Sequence, residues 1–143
     1  MSQAIKGSAI EALIPQRAPM IMIDVFYGFL GDEASYSGLT VSSENIFCQN
    51  DKLRESGIIE HIEQSAAARV GFIYSEKGEP IPLGFIGSVD KLKIYKLPVV
   101  GDIMVTRINV VQEVGDLSLI SALTMVDGQK IAECRMKIFL QKN

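Results

Sequence analysis

Ser56-Gly57-Ile58-Ile59-Glu60-His61-Ile62-Glu63-Gln64-Ser65-Ala66-Ala67-Ala68-Arg69-Val70-Gly71-Phe72-Ile73-Tyr74 is the one long stretch of the chain with helical periodicity. Ile58, Ile62, Ala66 and Ile73 recur at spacings of four, four and seven, and Ile59 and Val70 widen the stripe. A 3.6-residue period places them on one apolar face. Glu60, Gln64, Ala67 and Gly71 form a second line, at spacings of four, three and four. A carboxylate and an amide there share a line with two residues of almost no side chain, so another group can approach the helix closely. Ser56 is the expected N-cap, with Glu60 and Glu63 near the positive end of the helix dipole.

Outward from the helix, the chain reads as strands. Pro15 and Pro19 close a weakly amphipathic segment over residues 2–14, where a short helix is expected. Met20 to Tyr27 is apolar enough for a strand entering the core, and Glu33 to Ser42 reads as its returning hairpin partner. Residues 43–55 read as a loop that delivers the chain to the helix. Glu76 to Pro80 is a turn. Long strands follow at 83–96, 102–114, 117–126 and 130–140, with Gly115-Asp116 and Asp127-Gly128 between the later ones. Asp-Gly between alternating runs is a strong hairpin signal. In the last strand, Ala132, Cys134, Met136, Ile138 and Leu140 oppose a mostly charged set, which suits a sheet with one face on a core. One helix cannot cover both faces of such a sheet, but a strongly curved antiparallel sheet can wrap it. The expected class is α+β.

The 143 residues, 48% hydrophobic and 22% charged, suit one globular domain over 1–143. The net charge of −3 and the dispersed lysines and arginines point away from a nucleic-acid partner. No apolar run reaches the roughly 18 residues that span a bilayer, and there is no signal-peptide pattern at the N-terminus. Cys48 and Cys134 read as free thiols of a reducing compartment. A cytoplasmic location is expected. One histidine and two distant cysteines make no metal site, and no cofactor is expected.

The order of elements and six short motifs resemble the hotdog fold, in particular the FabZ-like 3-hydroxyacyl-ACP dehydratases. Ile14-Pro15-Gln16-Arg17-Ala18-Pro19-Met20-Ile21-Met22-Ile23-Asp24 is similar to that family's "LPHRxPFLLVD", and Ile46-Phe47-Cys48-Gln49-Asn50-Asp51 to its "PFFQGH". Glu60 to Ala66 is similar to its "ExxAQA" helix. Gly87-Ser88-Val89-Asp90-Lys91, Pro98-Val99-Val100-Gly101-Asp102 and Val126-Asp127-Gly128-Gln129-Lys130-Ile131-Ala132-Glu133 resemble "GIDKxRF", "PVxPGD" and "VDGxxVAEA". The resemblance implies a curved sheet around one central helix, and a site between two subunits. There a loop histidine and a helix glutamate remove the α proton and expel the β hydroxyl, while a helix N-terminus holds the thioester carbonyl. Glu60 fills the glutamate place, four before Gln64. The histidine place falls at Asp51, the loop to Gly57 is shorter and lacks the family's prolines, and Gln16 stands where the family usually has His. In this the chain resembles the His-poor dehydratase-like proteins of aryl-polyene and flexirubin clusters more closely.

Elimination of water needs a base and an acid. The resemblance makes Glu60 the proton-transfer residue, against the reading that it merely favours a helix N-terminus. Asp51 is either the second group, with its pKa raised by burial, or a solvated loop residue. His61, the single histidine, lies about 100° around the helix from Glu60, as a second group or as a packed side chain. Gly57 and Ile58 offer backbone N–H groups to a carbonyl oxygen, or simply begin a helix. Gln64, Ala67 and Gly71 line an acyl site, or pack against the sheet. Gly87 allows backbone approach, or marks a bulge. The implied function is that of a 3-hydroxyacyl-ACP dehydratase-like protein acting on acyl thioesters in fatty-acid or polyene-type biosynthesis. Its implied partners are acyl carrier protein, whose phosphopantetheine arm carries the substrate, and a second copy or another hotdog subunit. A catalytically reduced acyl-ACP-binding subunit and a thioesterase are the competing readings.

Overall fold

The computed structural model describes residues 4–141. It runs through β1 (Ile5–Lys6), a 3-10 helix (Gly7–Ala12), β2 (Val25–Phe29), β3 (Ser35–Thr40), β4 (Cys48–Gln49), β5 (Lys52–Leu53), α1 (Glu55–Glu76), β6 (Leu83–Ile94), β7 (Ile103–Val114), β8 (Leu117–Val126) and β9 (Gln129–Gln141). One antiparallel sheet has the order β1-β2-β3-β7-β8-β9-β6, and β4 and β5 form a separate hairpin.

Alternation along the long strands builds the inner face of the sheet. Met104, Thr106 and Ile108 of β7, Ile120, Ala122 and Thr124 of β8, and Ala132, Cys134, Met136 and Ile138 of β9 are buried. The expected β8–β9 hairpin is present, with Asp127 and Gly128 both left-handed (φ 50° and 76°) as a tight turn of twisted strands requires. The inner face meets Ile58, Ile62 and Ala66 of α1 in one core cluster. Ile58 and Ile62 are fully buried, each worth about 2–3 kcal/mol by the usual transfer scale.

The other flank of α1 is covered as well. Ile10, Leu13, Ile14, Ile23 and Phe26 pack with Ala68 in a second cluster, and the Phe26 and Phe72 rings lie 5.3 Å apart. The N-terminal segment thus lies over the helix line that the sequence presents as open. Where a short helix is expected, the chain forms β1 and the 3-10 helix; residues 2 and 3 lie outside the described residues. The expected strand at Met20 begins only at Val25. Met20 and Met22 instead bond side chains of α1 through their main-chain groups, so this stretch joins no ladder. The N-cap is Arg54, and Ser56 lies within the first turn.

β6 is an edge strand, paired on one side only, with β9. Its register shifts twice, between Ile86 and Ser88 and between Asp90 and Lys93. Leu83, Phe85, Ile86, Val89 and Leu92 are exposed along it. Among the described residues no helix is long and apolar enough to cross a membrane.

Candidate functional site

The loop before α1 is more ordered than the sequence suggests. Cys48 pairs with Leu53 and Gln49 with Lys52, leaving Asn50 and Asp51 as a two-residue turn. Both have positive φ (54° and 61°), the mark of a type I′ hairpin. The hairpin is pinned by Val100 N–H donating to the Asp51 carbonyl at 3.0 Å and by Leu53 N–H donating to the Pro98 carbonyl at 2.9 Å. Asp51 is exposed at its tip, facing Cys48, whose thiol pKa is raised by burial and by the Asp51 charge. Among the described residues no hydrogen bond or ion pair joins Asp51 to Glu60.

The hairpin packs on α1 at Gly57, where a Cβ would collide with Phe47 and Leu53. The expectation that Gly57 and Ile58 present free N–H groups is not met. Both donate to the Arg54 carbonyl, at 2.9 and 3.2 Å, because the helix begins earlier than expected.

Glu60 is held by its neighbours one turn on. Gln64 Nε2 donates to Glu60 Oε2 at 2.8 Å and to the Met20 carbonyl at 2.7 Å, and Gln64 Oε1 accepts from Met22 N–H at 2.6 Å. Gln64 is fully buried and both its N–H donors are taken, so it has no donor left for a substrate. Its place is behind Glu60, fixing the carboxylate.

His61 is equally buried, on the sheet side. Nδ1 lies 2.7 Å from the Met22 carbonyl and Nε2 lies 2.8 Å from Thr106 Oγ1, itself 2.6 Å from Thr124 Oγ1. A carbonyl only accepts, so the proton of the neutral ring sits on Nδ1; Thr106 then donates to Nε2 and Thr124 to Thr106. Burial lowers the ring's pKa to about 4, against the Met22 hydrogen bond, which works to raise it. The ring is therefore neutral at pH 7 and sealed from a substrate. Of the two readings of His61, the packed side chain is the one this geometry matches: the ring is buried and bonded to the Met22 main chain.

A cavity of about 370 Å³ opens beside the helix, between Leu13–Gln16, the start of β6, the end of β9 and one line of α1. That line is Glu63, Ala66, Ala67 and Val70. Ala67 is on its wall as expected, but Gly71 is not: a Cβ there would collide with the Leu13 carbonyl, so this glycine admits the crossing N-terminal segment. Gly87 sits on β6 at the first register shift, and the bulge reading describes it. Gln16 also lines the cavity, and its buried Oε1 has no hydrogen-bond partner.

Glu63 is the residue the sequence reading overlooked. Burial first, then the charge of Glu60 and a hydrogen bond shared with it, raise its pKa above the ordinary carboxylate value. The spacing 63, 66, 67, 70 is itself a helical stripe and would have pointed to it. Cys134 lies near Glu63 from β9; burial, then the Glu63 charge, push its thiol up to about 11, so it is no nucleophile. Among the described residues no group of three His, Cys, Asp or Glu side chains is arranged to hold a metal ion.

A family model for ApeP-like proteins, described as ApeP dehydratase, matches residues 8–143. The chain belongs to the ApeP-like dehydratase family. It is similar to the 3-hydroxyacyl-[acyl-carrier-protein] dehydratase FabZ of Clostridium novyi, 24% identical over 138 residues covering 93% of this chain and 95% of that one. Among solved structures it resembles the dehydratase heterocomplex ApeI:P from Xenorhabdus doucetiae, with a TM-score of 0.84, 16% identity, and 94% and 91% of the two chains covered. A hypothetical thioesterase with coenzyme A from Streptococcus pneumoniae is more distant, with a TM-score of 0.64, 9% identity, and 80% and 84% covered. The fold of this ApeP-like chain is the hotdog fold, an antiparallel sheet around one long helix.

Proposed function

We propose that this ApeP-like chain is a 3-hydroxyacyl-ACP dehydratase subunit in which Glu60 takes the α proton of the acyl thioester. The observation that carries the reading is the pairing of a carboxylate fixed by Gln64 with an adjoining apolar cavity, in a member of a dehydratase family. The cavity would take the acyl chain, and the carrier protein would deliver it on its phosphopantetheine arm. An oriented base contributes typically 10²–10⁴ to such a step. The test is incubation of the purified chain, alone and mixed with a second hotdog dehydratase subunit, with 3-hydroxyacyl-ACP and with enoyl-ACP. Loss or gain of water is followed by mass spectrometry. Glu60→Gln is expected to lower the rate about 10²–10⁴-fold. No turnover in any combination would sink the proposal, and release of free acid would favour a thioesterase.

A second reading is favoured by one observation: the single imidazole of the chain is buried, and the hairpin tip carries an aspartate where the FabZ-like resemblance would place a histidine. The chain would then be the reduced subunit of a mixed complex, its bare β6 edge extended by the partner's sheet. A stable mixed complex, with turnover that survives Glu60→Gln in this chain, would support it.

A further inference from the structure

We infer that Glu63 is the second proton-transfer group of this site, a carboxylic acid that stands in for the imidazole missing from the loop. The inference rests on the dehydratase reading above and names the acid which that reading leaves unassigned.

Three observations meet at this side chain. Glu63 follows Glu60 by three residues, which puts the two on adjoining positions of one helix face. Of the residues that line the cavity, Glu63 alone is titratable, and the walls around it are apolar. On the wall formed by the N-terminal segment, Gln16 Oε1 is a buried acceptor without a partner. A buried acceptor left without a donor is unfavourable. A hydroxyl entering the cavity would satisfy it and lie within the same chamber as the Glu63 carboxyl.

Two carboxyls on adjoining positions of one helix face do not both ionise readily. Gln64 donates to Glu60 Oε2 and so orients that carboxyl as an acceptor, whereas Glu63 faces apolar walls, which suit a neutral acid. The step balances with these two groups alone. The Glu60 carboxylate takes the α proton, and the electrons of that C–H bond form the Cα=Cβ double bond. The Cβ–O bond breaks, and the Glu63 proton joins the departing hydroxyl to make water. Glu60 is left protonated and Glu63 ionised, and one proton transfer between these neighbouring carboxyls, directly or through the product water, restores the starting pair. Besides Glu60, the titratable group facing Glu63 is Cys134 on β9, a neutral thiol below pH 10.

The test compares the parent protein with Glu63→Gln, Glu63→Asp and Glu60→Gln, in whichever assembly gives dehydration. Glu63→Gln is expected to lower kcat at least 100-fold with KM within threefold. It should also abolish the alkaline limb of the kcat/KM–pH profile, and Glu63→Asp should restore a measurable part of both. Cooperative urea unfolding of each variant checks the fold. A Glu63→Gln protein within twofold of the parent, beside an inactive Glu60→Gln, overturns the role of Glu63 and leaves the dehydratase reading standing. A slow Glu63→Gln protein that keeps the alkaline limb also overturns it, because a packing role would lower the rate without moving the profile. Absence of dehydration by the parent in every combination overturns both readings together.

Discussion

Acidification from pH 7.5 to 5 is expected to weaken the fold through His61. The ring is fully buried, and both of its nitrogens are engaged by groups fixed in the core. Its folded pKa is about 4 against 6.5 for the free side chain, because burial penalises the cation. The folded state therefore binds fewer protons than the unfolded state. The His61 contribution is fully present above pH 6.5, and it is lost progressively as the pH falls towards 4. A depression of two to three units at 1.36 kcal/mol per unit gives a total of about 3 kcal/mol, of which about 2 kcal/mol is gone by pH 5. Glu63 acts in the opposite sense. Its folded pKa is raised, so its contribution is lost as the pH rises and regained on acidification. The two are separated by measuring urea unfolding at fixed protein concentration across pH 5–7.5 for the parent and for His61→Gln. The difference between the two curves should shrink by about 2 kcal/mol between pH 7.5 and 5. Curves that run parallel, or an imidazolium signal for His61 in NMR spectra at pH 5.5, would refute the reasoning.

Gly71→Ala should cost several kcal/mol, in the upper range for a point substitution, because its methyl meets the Leu13 main chain rather than a flexible side chain. Thermal unfolding measures it, and a change below about 0.5 kcal/mol would contradict the close crossing. Gln64→Leu keeps the volume but leaves Met22 N–H without its partner and releases Glu60. A loss of about 1–3 kcal/mol in urea unfolding is expected, together with faster amide exchange at Met22. An unchanged exchange rate there would count against the clamp.

Why some of this was legible and some not follows from the range of the interactions. The helix and the strands from Ile103 onward declare themselves through local periodicity and an Asp-Gly turn, and they appear within a residue or two of where the pattern put them. The roles of Gln64 and His61 depend on Met22, which lies 42 and 39 residues away, and no period in the helix announces such a partner. The same contacts explain why Met20 to Asp24, apolar as a strand should be, forms none. Residues 43–55 read as a loop, and turn chemistry explains the difference: Asn50 and Asp51 tolerate the left-handed region, so part of the stretch folds into a hairpin. Glu63 was visible in principle. Its spacing to Ala66, Ala67 and Val70 is a helical stripe, but the family motif that carries the resemblance has its acid at Glu60.

The bare edge of β6 has a consequence for how the protein fares in a cell. An uncovered strand with a row of apolar side chains and free N–H and C=O groups is a template for whatever strand arrives first. Lys91 and Lys93 and the two irregularities limit the registers available, but they do not close the edge. A newly made chain is therefore most vulnerable when it meets another unsatisfied edge before its own is covered. Expression at high level, where such edges meet most often, should fill inclusion bodies, and slower synthesis should recover soluble material.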